Sequence, residues 1–387
     1  MPRKIFLIAC EASGDLHGAH LVEELRRLEP DLEFSGLGGP RMAAAGVRLL
    51  EDMTRISALG FGDVLRQYFT YRAIFYRALA EVSRIKPDTL ILIDSPAFNL
   101  RFAKKIRASR LSFPIFYYIS PQIWAWGGRR IRTIKKTIDR MFVIMPFEVP
   151  IYKKAGVPCE FVGHPLLDHV ETTAGRDTLR VRYEIAPNER AIGLFSGSRA
   201  SEVRRIFPIM LESAGQLRRL IPQTIFFMSQ SPNVPSALYN QILSRHFDIG
   251  VRRIEGHFYD LAAAMDFALV ASGTATLETA LLGTPFFLLY KASWSTYFLG
   301  KHLIRVPYLG LVNLLAGKKV VPEFIQGEAR PETIAHEART LLENRELYEE
   351  MKEEFSKVRE GLGEKGASSR AAESILAFLN TRAVGAL

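Results

Sequence analysis

The stretch Ala191-Ile192-Gly193-Leu194-Phe195-Ser196-Gly197-Ser198-Arg199 decides the fold class. Its first five residues are apolar or small, as a strand buried on both faces requires. Ser196 and Gly197 then break the run, and from residue 200 to 220 apolar residues return at helical spacing. A buried strand that turns directly into a long amphipathic helix is the opening half of a βαβ unit. The same order recurs further on: an apolar run at 267–271, the turn Ser272-Gly273-Thr274, then helical spacing over 274–282.

Worked outward, the pattern fills the chain. Strands are expected at 5–9, 33–37, 89–93, 114–119 and 140–144, then at 191–195, 224–228, 251–254, 267–271 and 285–289. Helical spacing occupies 18–29, 71–85, 100–109, 147–155, 200–220, 235–245, 256–264, 274–282 and 331–344. Strands alternating with helices imply parallel sheets joined by right-handed crossovers. Two such sets in succession predict an α/β protein with two doubly wound, Rossmann-like domains. The boundaries read as 1–165 for the first domain and 166–345 for the second, with 162–188 as linker. Residues 346–387 read as charged C-terminal helices packing on the domains.

Composition narrows the class. The chain has 387 residues, 48% hydrophobic and 24% charged, which suits globular domains with substantial cores. No apolar run reaches the roughly 18 residues of a membrane-spanning helix. The run at 5–9 is too short for a signal peptide. Cys10 and Cys159 form no C-x-x-C pair, which fits a reducing cytoplasm. The net charge is +10, and it is concentrated: residues 101–140 hold eleven Lys/Arg against one acid, Asp139. Such a face suits an anionic partner or is simply a solvated helix surface. No zinc-finger, RNP or basic-zipper pattern accompanies it, so nucleic acid is not expected.

In open α/β sheets, ligands bind beyond the carboxyl ends of the strands. Gly197, Ser198 and Arg199 put a close-approach glycine, a helix N-terminus and a guanidinium together, which suits phosphate oxygens. The plain alternative is a tight turn with a surface arginine. Ser272, Gly273 and Thr274 repeat the arrangement, and Glu278 lies one helical turn on, where a carboxylate can hold a ribose diol. There is no Walker motif, and Gly36-Leu37-Gly38-Gly39 is not a dinucleotide fingerprint. Asp94 ends the apolar run 89–93 and can act as a general base or as a cap for the next helix. Trp124 and Trp126 sit beside the basic stretch, and Phe61, Leu65, Tyr68 and Phe69 share rough helical spacing. The tryptophans suit a membrane interface, a sugar face or core packing, and the second group a buried helix or an acyl-binding or interfacial one. His164 has no second ligand at metal spacing, so no metal site is expected.

Taken together, these loops resemble those of the lipid-A-disaccharide synthase family, inverting glycosyltransferases of GT-B fold. The resemblance is carried by Glu11-Ala12-Ser13-Gly14-Asp15, Gly38-Gly39-Pro40-Arg41-Met42, Asp94-Ser95-Pro96-Ala97-Phe98-Asn99 and the segment 118–126. It continues through Gly163-His164-Pro165-Leu166, Gly197-Ser198-Arg199 with Glu202, Ser272 through Glu278, and Asn313-Leu314-Leu315-Ala316-Gly317, in the family's order. It implies two domains facing across a cleft, and transfer of diacylglucosamine from a UDP-diacylglucosamine donor to a diacylglucosamine 1-phosphate acceptor. No cofactor is implied. By the family pattern Asp94 is the general base, and Glu11 is an acid near the acceptor. Arg199, Glu278 and Asn313 are donor-site residues, and the aromatic segment meets acyl chains at the cytoplasmic face of the inner membrane. A homodimer is compatible with this. Cys10 stands where the family usually has glycine, and Ser196 where it usually has proline. The alternatives are a related UDP-sugar enzyme with another acceptor (a peptidoglycan-precursor transferase or an epimerase), or a non-catalytic protein that binds anionic lipid.

Overall fold

The computed structural model describes residues 2–58, 64–109, 111–125, 127–293, 297 and 306–384. The chain divides into two compact units, one of residues 1–168 with 362–387 and the other of residues 169–361.

The first unit is built on seven parallel strands: β1 Lys4–Ala9, β2 Glu33–Gly38, β3 Arg48–Asp52, β4 Thr89–Ile93, β5 Ile115–Tyr118, β6 Arg140–Val143 and β7 Cys159–Phe161. Their order is β3-β2-β1-β4-β5-β6-β7. Residues 5–9 of β1 are all buried, because side chains alternate between two covered faces. Ile5 and Leu7 join a core with Val22 and Leu25 of the helix Ala12–Leu28 and with Ile375 of the helix Ala367–Val384. Phe6 and Ile8 join the opposite core, with Ile74 and Val82 of the helix Val64–Ile85 and Phe102 of the helix Pro96–Ala108. Each fully buried side chain of this size contributes roughly 1.5–3 kcal/mol.

The second unit has six parallel strands: β8 Arg190–Phe195, β9 Thr224–Gln230, β10 Val251–Glu255, β11 Phe267–Ala271, β12 Phe286–Tyr290 and β13 Glu323–Ile325. Their order is β10-β9-β8-β11-β12-β13.

All ten strands expected from the sequence are present. Three more, β3, β7 and β13, lie at sheet edges. An edge strand has one paired side and no need for an apolar run, so β3 (Arg-Leu-Leu-Glu-Asp) carries little signal. The division of the chain also departs from the expected boundaries. It falls after Asp168, and the C-terminal helices do not form a segment of their own. The helix Arg345–Gly361 belongs to the second unit, where Phe355 stacks on Phe286 at 5.6 Å. The helix Ala367–Val384 returns to the first, where Ser368 meets the Tyr118 hydroxyl at 3.1 Å. The Arg370 guanidinium binds the Val162 carbonyl at 2.8 Å.

The strand orders locate the chemistry. In the first sheet the chain winds one way from β1 to β3 and the other way from β4 to β7, so β1 and β4 flank the switch point. In the second sheet β8 and β11 do so. At a switch point the adjacent loops leave in opposite directions and open a crevice for ligand.

Candidate active site

At the second unit's switch point lies a cavity of about 470 Å³, within the usual range for small-molecule sites. The loop after β8 supplies Gly197, Ser198 and Arg199, and the loop after β11 supplies Ser272, Gly273 and Thr274. Glu278 closes one side. Sequence reasoning named these seven residues separately, and the fold brings them together. The helices Ala200–Leu220 and Thr274–Leu281 both begin here, so free backbone N–H groups and two positive dipole ends face the cavity. Gly197 has φ +99°, and a Cβ there would meet Glu202 Oε2 at 2.5 Å. Only glycine lets this turn pass so close to the start of the helix. Arg199 is largely exposed and pairs with Glu202 at 3.0 Å, so its guanidinium can turn to a ligand at little cost.

Glu278 accepts a hydrogen bond from the Tyr259 hydroxyl at 3.0 Å. Burial raises its pKa and the Tyr259 bond lowers it, leaving a net rise. Tyr259 was not visible as a site residue, since nothing about one tyrosine in an amphipathic stretch marks it. Gln230, His257 and Phe258 also line the cavity from the loops after β9 and β10. Gln230 Nε2 donates to Ser236 at 3.0 Å, while its Oε1 is buried without a partner.

Asn313 does not belong to this cavity, contrary to the expectation. It is fully buried and its amide is saturated. Its Nδ2 donates to the Val321 carbonyl at 2.9 Å and to Glu323 at 2.8 Å. Its oxygen accepts the N–H groups of Val320 at 2.7 Å and Val321 at 2.9 Å. Asn313 clamps the chain that leads into β13.

In the first unit Asp94 follows β4 at the other switch point. It and Ser95 have φ of +46° and +44°, a left-handed turn without glycine. Such residues cost roughly 1–3 kcal/mol each and persist only where surrounding bonds impose them. Here Asn99 Nδ2 donates to the carbonyls of Ile93 at 3.0 Å and Asp94 at 2.7 Å. The Tyr117 hydroxyl donates to the same Asp94 carbonyl. Asp94 donates its own N–H to Tyr118 at 3.1 Å. Ser95, not Asp94, sits at the cap of the helix Pro96–Ala108. The Asp94 carboxyl therefore has a raised pKa from burial first and the Glu11 charge second, with the Ser95 backbone opposing. Glu11 follows β1, the strand beside β4, and is exposed.

Asp15 explains why two of the sequence stretches travel together. It is buried, and its oxygens accept the N–H groups of Gly39 at 2.7 Å, Met42 at 3.0 Å and Arg41 at 3.0 Å. It thus locks Gly39 and the short helix Pro40–Ala44 after β2 onto the start of the helix Ala12–Leu28. Cys10 has no positive φ, so its backbone makes no demand for glycine. Its thiol is buried, and burial holds its pKa well above the usual thiol range. Ser196 is buried at the end of β8. Among the described residues, no three His, Cys, Asp or Glu side chains are grouped as a metal would need.

The residues read as lipid-facing divide. Tyr68 and Phe69 are exposed on the helix Val64–Ile85, and Tyr76 joins them. Phe61, Trp126 and the Leu65 side chain lie outside the described residues. Trp124 is half-buried and points its indole N–H inward to Glu148 at 3.0 Å, which does not suit a free interfacial anchor. Of the basic stretch, Arg101, Lys104, Lys105, Arg129, Arg132, Lys135 and Lys136 are exposed. Arg107 is instead structural, bound to Asp139 and to the carbonyls of Thr137 at 3.1 Å and Phe113 at 3.0 Å.

A sequence profile of the lipid-A-disaccharide synthetase family matches residues 5–378. A lipid-A-disaccharide synthase of Syntrophus aciditrophicus is 42% identical over 375 residues, 97% of each chain. One of Geobacter sulfurreducens is 42% identical over 376 residues, again 97% of each. The chain belongs to the lipid-A-disaccharide synthase family. As a member it is a glycosyltransferase, and the matched span contains both switch-point sites. Solved structures agree on the fold. The UDP-GlcNAc 2-epimerase of Neisseria meningitidis, bound to UDP-GlcNAc, superposes with a TM-score of 0.64 at 15% identity, covering 97% of this chain and 100% of that one. The calicheamicin glycosyltransferase CalG4 gives 0.61 at 14%, covering 98% of each. The chain thus has the GT-B fold expected from the sequence.

Proposed function

We propose that this synthase-family member transfers diacylglucosamine from UDP-2,3-diacylglucosamine to the 6′ hydroxyl of 2,3-diacylglucosamine 1-phosphate. The products are the β-1,6-linked disaccharide phosphate of lipid A and UDP. The observation that carries the reading is the cavity at β8 and β11, which gathers phosphate-compatible turns and Glu278 in a chain matched to this family almost end to end.

The UDP diphosphate would lie against the helix starts at Ala200 and Thr274, with Arg199 turning onto it. Glu278 would accept the ribose hydroxyls. In the transfer, Asp94 takes the proton from the acceptor hydroxyl as its oxygen bonds to the donor's anomeric carbon from the face opposite UDP. The bond from that carbon to the diphosphate oxygen breaks, and its electron pair leaves with UDP. Arg199 and the two helix dipoles stabilise that charge. A carboxylate with a raised pKa is a stronger base than an ordinary aspartate, and burial together with the Glu11 charge supplies this for Asp94. Activity should accordingly fall on acidification at a pH above the usual aspartate range.

The acyl chains would meet Tyr68, Phe69 and Tyr76 while the exposed lysines and arginines of the helices Pro96–Ala108 and Ile131–Thr137 face anionic headgroups. Phe75 packs against Phe98 at 5.3 Å and so sets the aromatic helix beside the first basic one. This supports peripheral attachment at the cytoplasmic membrane face. Among the described residues no helix is long and apolar enough to cross a membrane.

The test is product analysis by mass spectrometry with the diacylated donor, with and without the diacylated acceptor. Disaccharide phosphate and UDP formed only with both would support the proposal. Conversion of a UDP-sugar without acceptor would favour the epimerase reading.

A further inference from the structure

The segment after β5 begins under strain. Ile119 has φ +64°, a left-handed conformation that a β-branched residue rarely adopts. The segment borders the Asp94 turn, because the Tyr118 carbonyl takes the Asp94 N–H and the Tyr117 hydroxyl binds the Asp94 carbonyl. Two side chains from the helix Glu148–Lys154 hold it. The Tyr152 hydroxyl donates to the Pro121 carbonyl at 3.2 Å. Glu148 accepts the Trp124 indole N–H at 3.0 Å on one oxygen and the Met145 N–H at 3.2 Å on the other. Glu148 is only 1% exposed and makes no ion pair in the described structure. The Trp124 ring also packs edge-on against Phe147 at 5.0 Å.

A buried carboxylate without a cation is costly, and a core position would be better filled by an apolar side chain. One of its bonds fixes where Trp124 stands, and the other holds the Met145 N–H ahead of its own helix. We infer that Glu148 is a positioning residue, holding Trp124 and the 119–125 turn where the sugar of the acceptor docks against Asp94. This rests on the proposed transfer reaction and on Asp94 as its base.

Burial pushes the Glu148 carboxyl up to about 7, with Ser120 first, then Trp124 and the Met145 and Ile144 backbone opposing. The titratable groups facing it are Tyr152 on its own helix and Cys159 on β7, and burial raises both above their ordinary values, which already lie above neutrality. Neither changes charge in the range where Glu148 does. Protonation turns one acceptor oxygen into a donor and loosens the turn.

The experiment measures KM for acceptor and donor separately in wild type, Trp124→Phe, Glu148→Ala, their double variant and Glu148→Gln. Losing one hydrogen bond to a charged acceptor should raise the acceptor KM roughly tenfold in either single variant, with donor KM unchanged. The double variant should be no worse than the poorer single, since both remove one coupling. Glu148→Gln, which like the protonated acid replaces one acceptor oxygen by a donor, should hold at every pH the raised acceptor KM of acidified wild type. It should also lose the rise in acceptor KM that wild type shows on acidification through about 7. The Asp94 step in kcat should remain in that variant. Effects that multiply in the double variant, or a pH step that persists in Glu148→Gln, overturn the inference. If Glu148→Ala does not fold, the cycle of Glu148→Gln with Trp124→Phe answers the same question. Absent turnover in wild type would instead sink the reaction itself, so the two failures are distinct.

Discussion

Replacing Asn313 by Ala separates a donor-site role from a structural one. The substitution removes four hydrogen bonds at once. It strands the buried N–H and carbonyl of Val321 and the half-buried N–H of Val320. Glu323 loses one donor but keeps the N–H groups of Leu309 and Gly310, each at 2.9 Å. Each stranded buried group costs about 1–3 kcal/mol, and partial relaxation brings three of them to about 3–5 kcal/mol in total. A typical domain has only about 5–15 kcal/mol in reserve. With a urea slope near 2 kcal/mol per M, the unfolding midpoint should drop by about 2 M. UDP affinity, measured by calorimetry on the folded variant, should stay within about threefold because the cavity is lined by other residues. A variant as stable as wild type that binds UDP at least about tenfold more weakly would refute the reasoning and return Asn313 to the donor site.

Glu148→Gln should change how stability depends on pH. The raised carboxyl contributes stability that is fully present below the unfolded pKa and is lost as pH rises through about 7. Between pH 5 and pH 8 wild type should therefore lose about 2.5 kcal/mol relative to the variant, and parallel urea midpoints at the two values would contradict this. Arg199→Ala should weaken UDP binding about tenfold or more, while stability stays within about 0.5 kcal/mol, because its ion pair with Glu202 is exposed. Unchanged UDP affinity would count against the pocket. Replacing Tyr68, Phe69 and Tyr76 together by Ser should abolish sedimentation with anionic phospholipid vesicles without shifting the melting temperature, and retained sedimentation would remove that face as the membrane contact.

The central strands were legible because double burial forces an apolar run, as in 5–9 and 267–271, and the turns after them carried glycine and serine. The edge strands β3, β7 and β13 were not, since one-sided pairing tolerates Arg48, Glu51 and Glu160. The seven cavity residues could be named because they sit at strand ends, where local chemistry is readable. Glu278's partner Tyr259 could not, because their meeting depends on how two helices pack. Asn313 shows the opposite failure: an asparagine in a matched motif signals importance, and only the fold shows its amide saturated inside. Trp124 read as a lipid anchor for the same reason, but its indole is bound to a buried glutamate that opens the helix Glu148–Lys154.

The most direct measurement is UDP release from the diacylated donor and acceptor, comparing wild type with Asp94→Asn. Asparagine tolerates the left-handed backbone at φ +46° and keeps the shape of the side chain, so only the base is removed. Turnover should fall by roughly 10²–10⁴-fold with UDP affinity unaltered. Turnover close to wild type would contradict Asp94 as the base and, with it, the assignment of the first switch point as the place where the acceptor reacts.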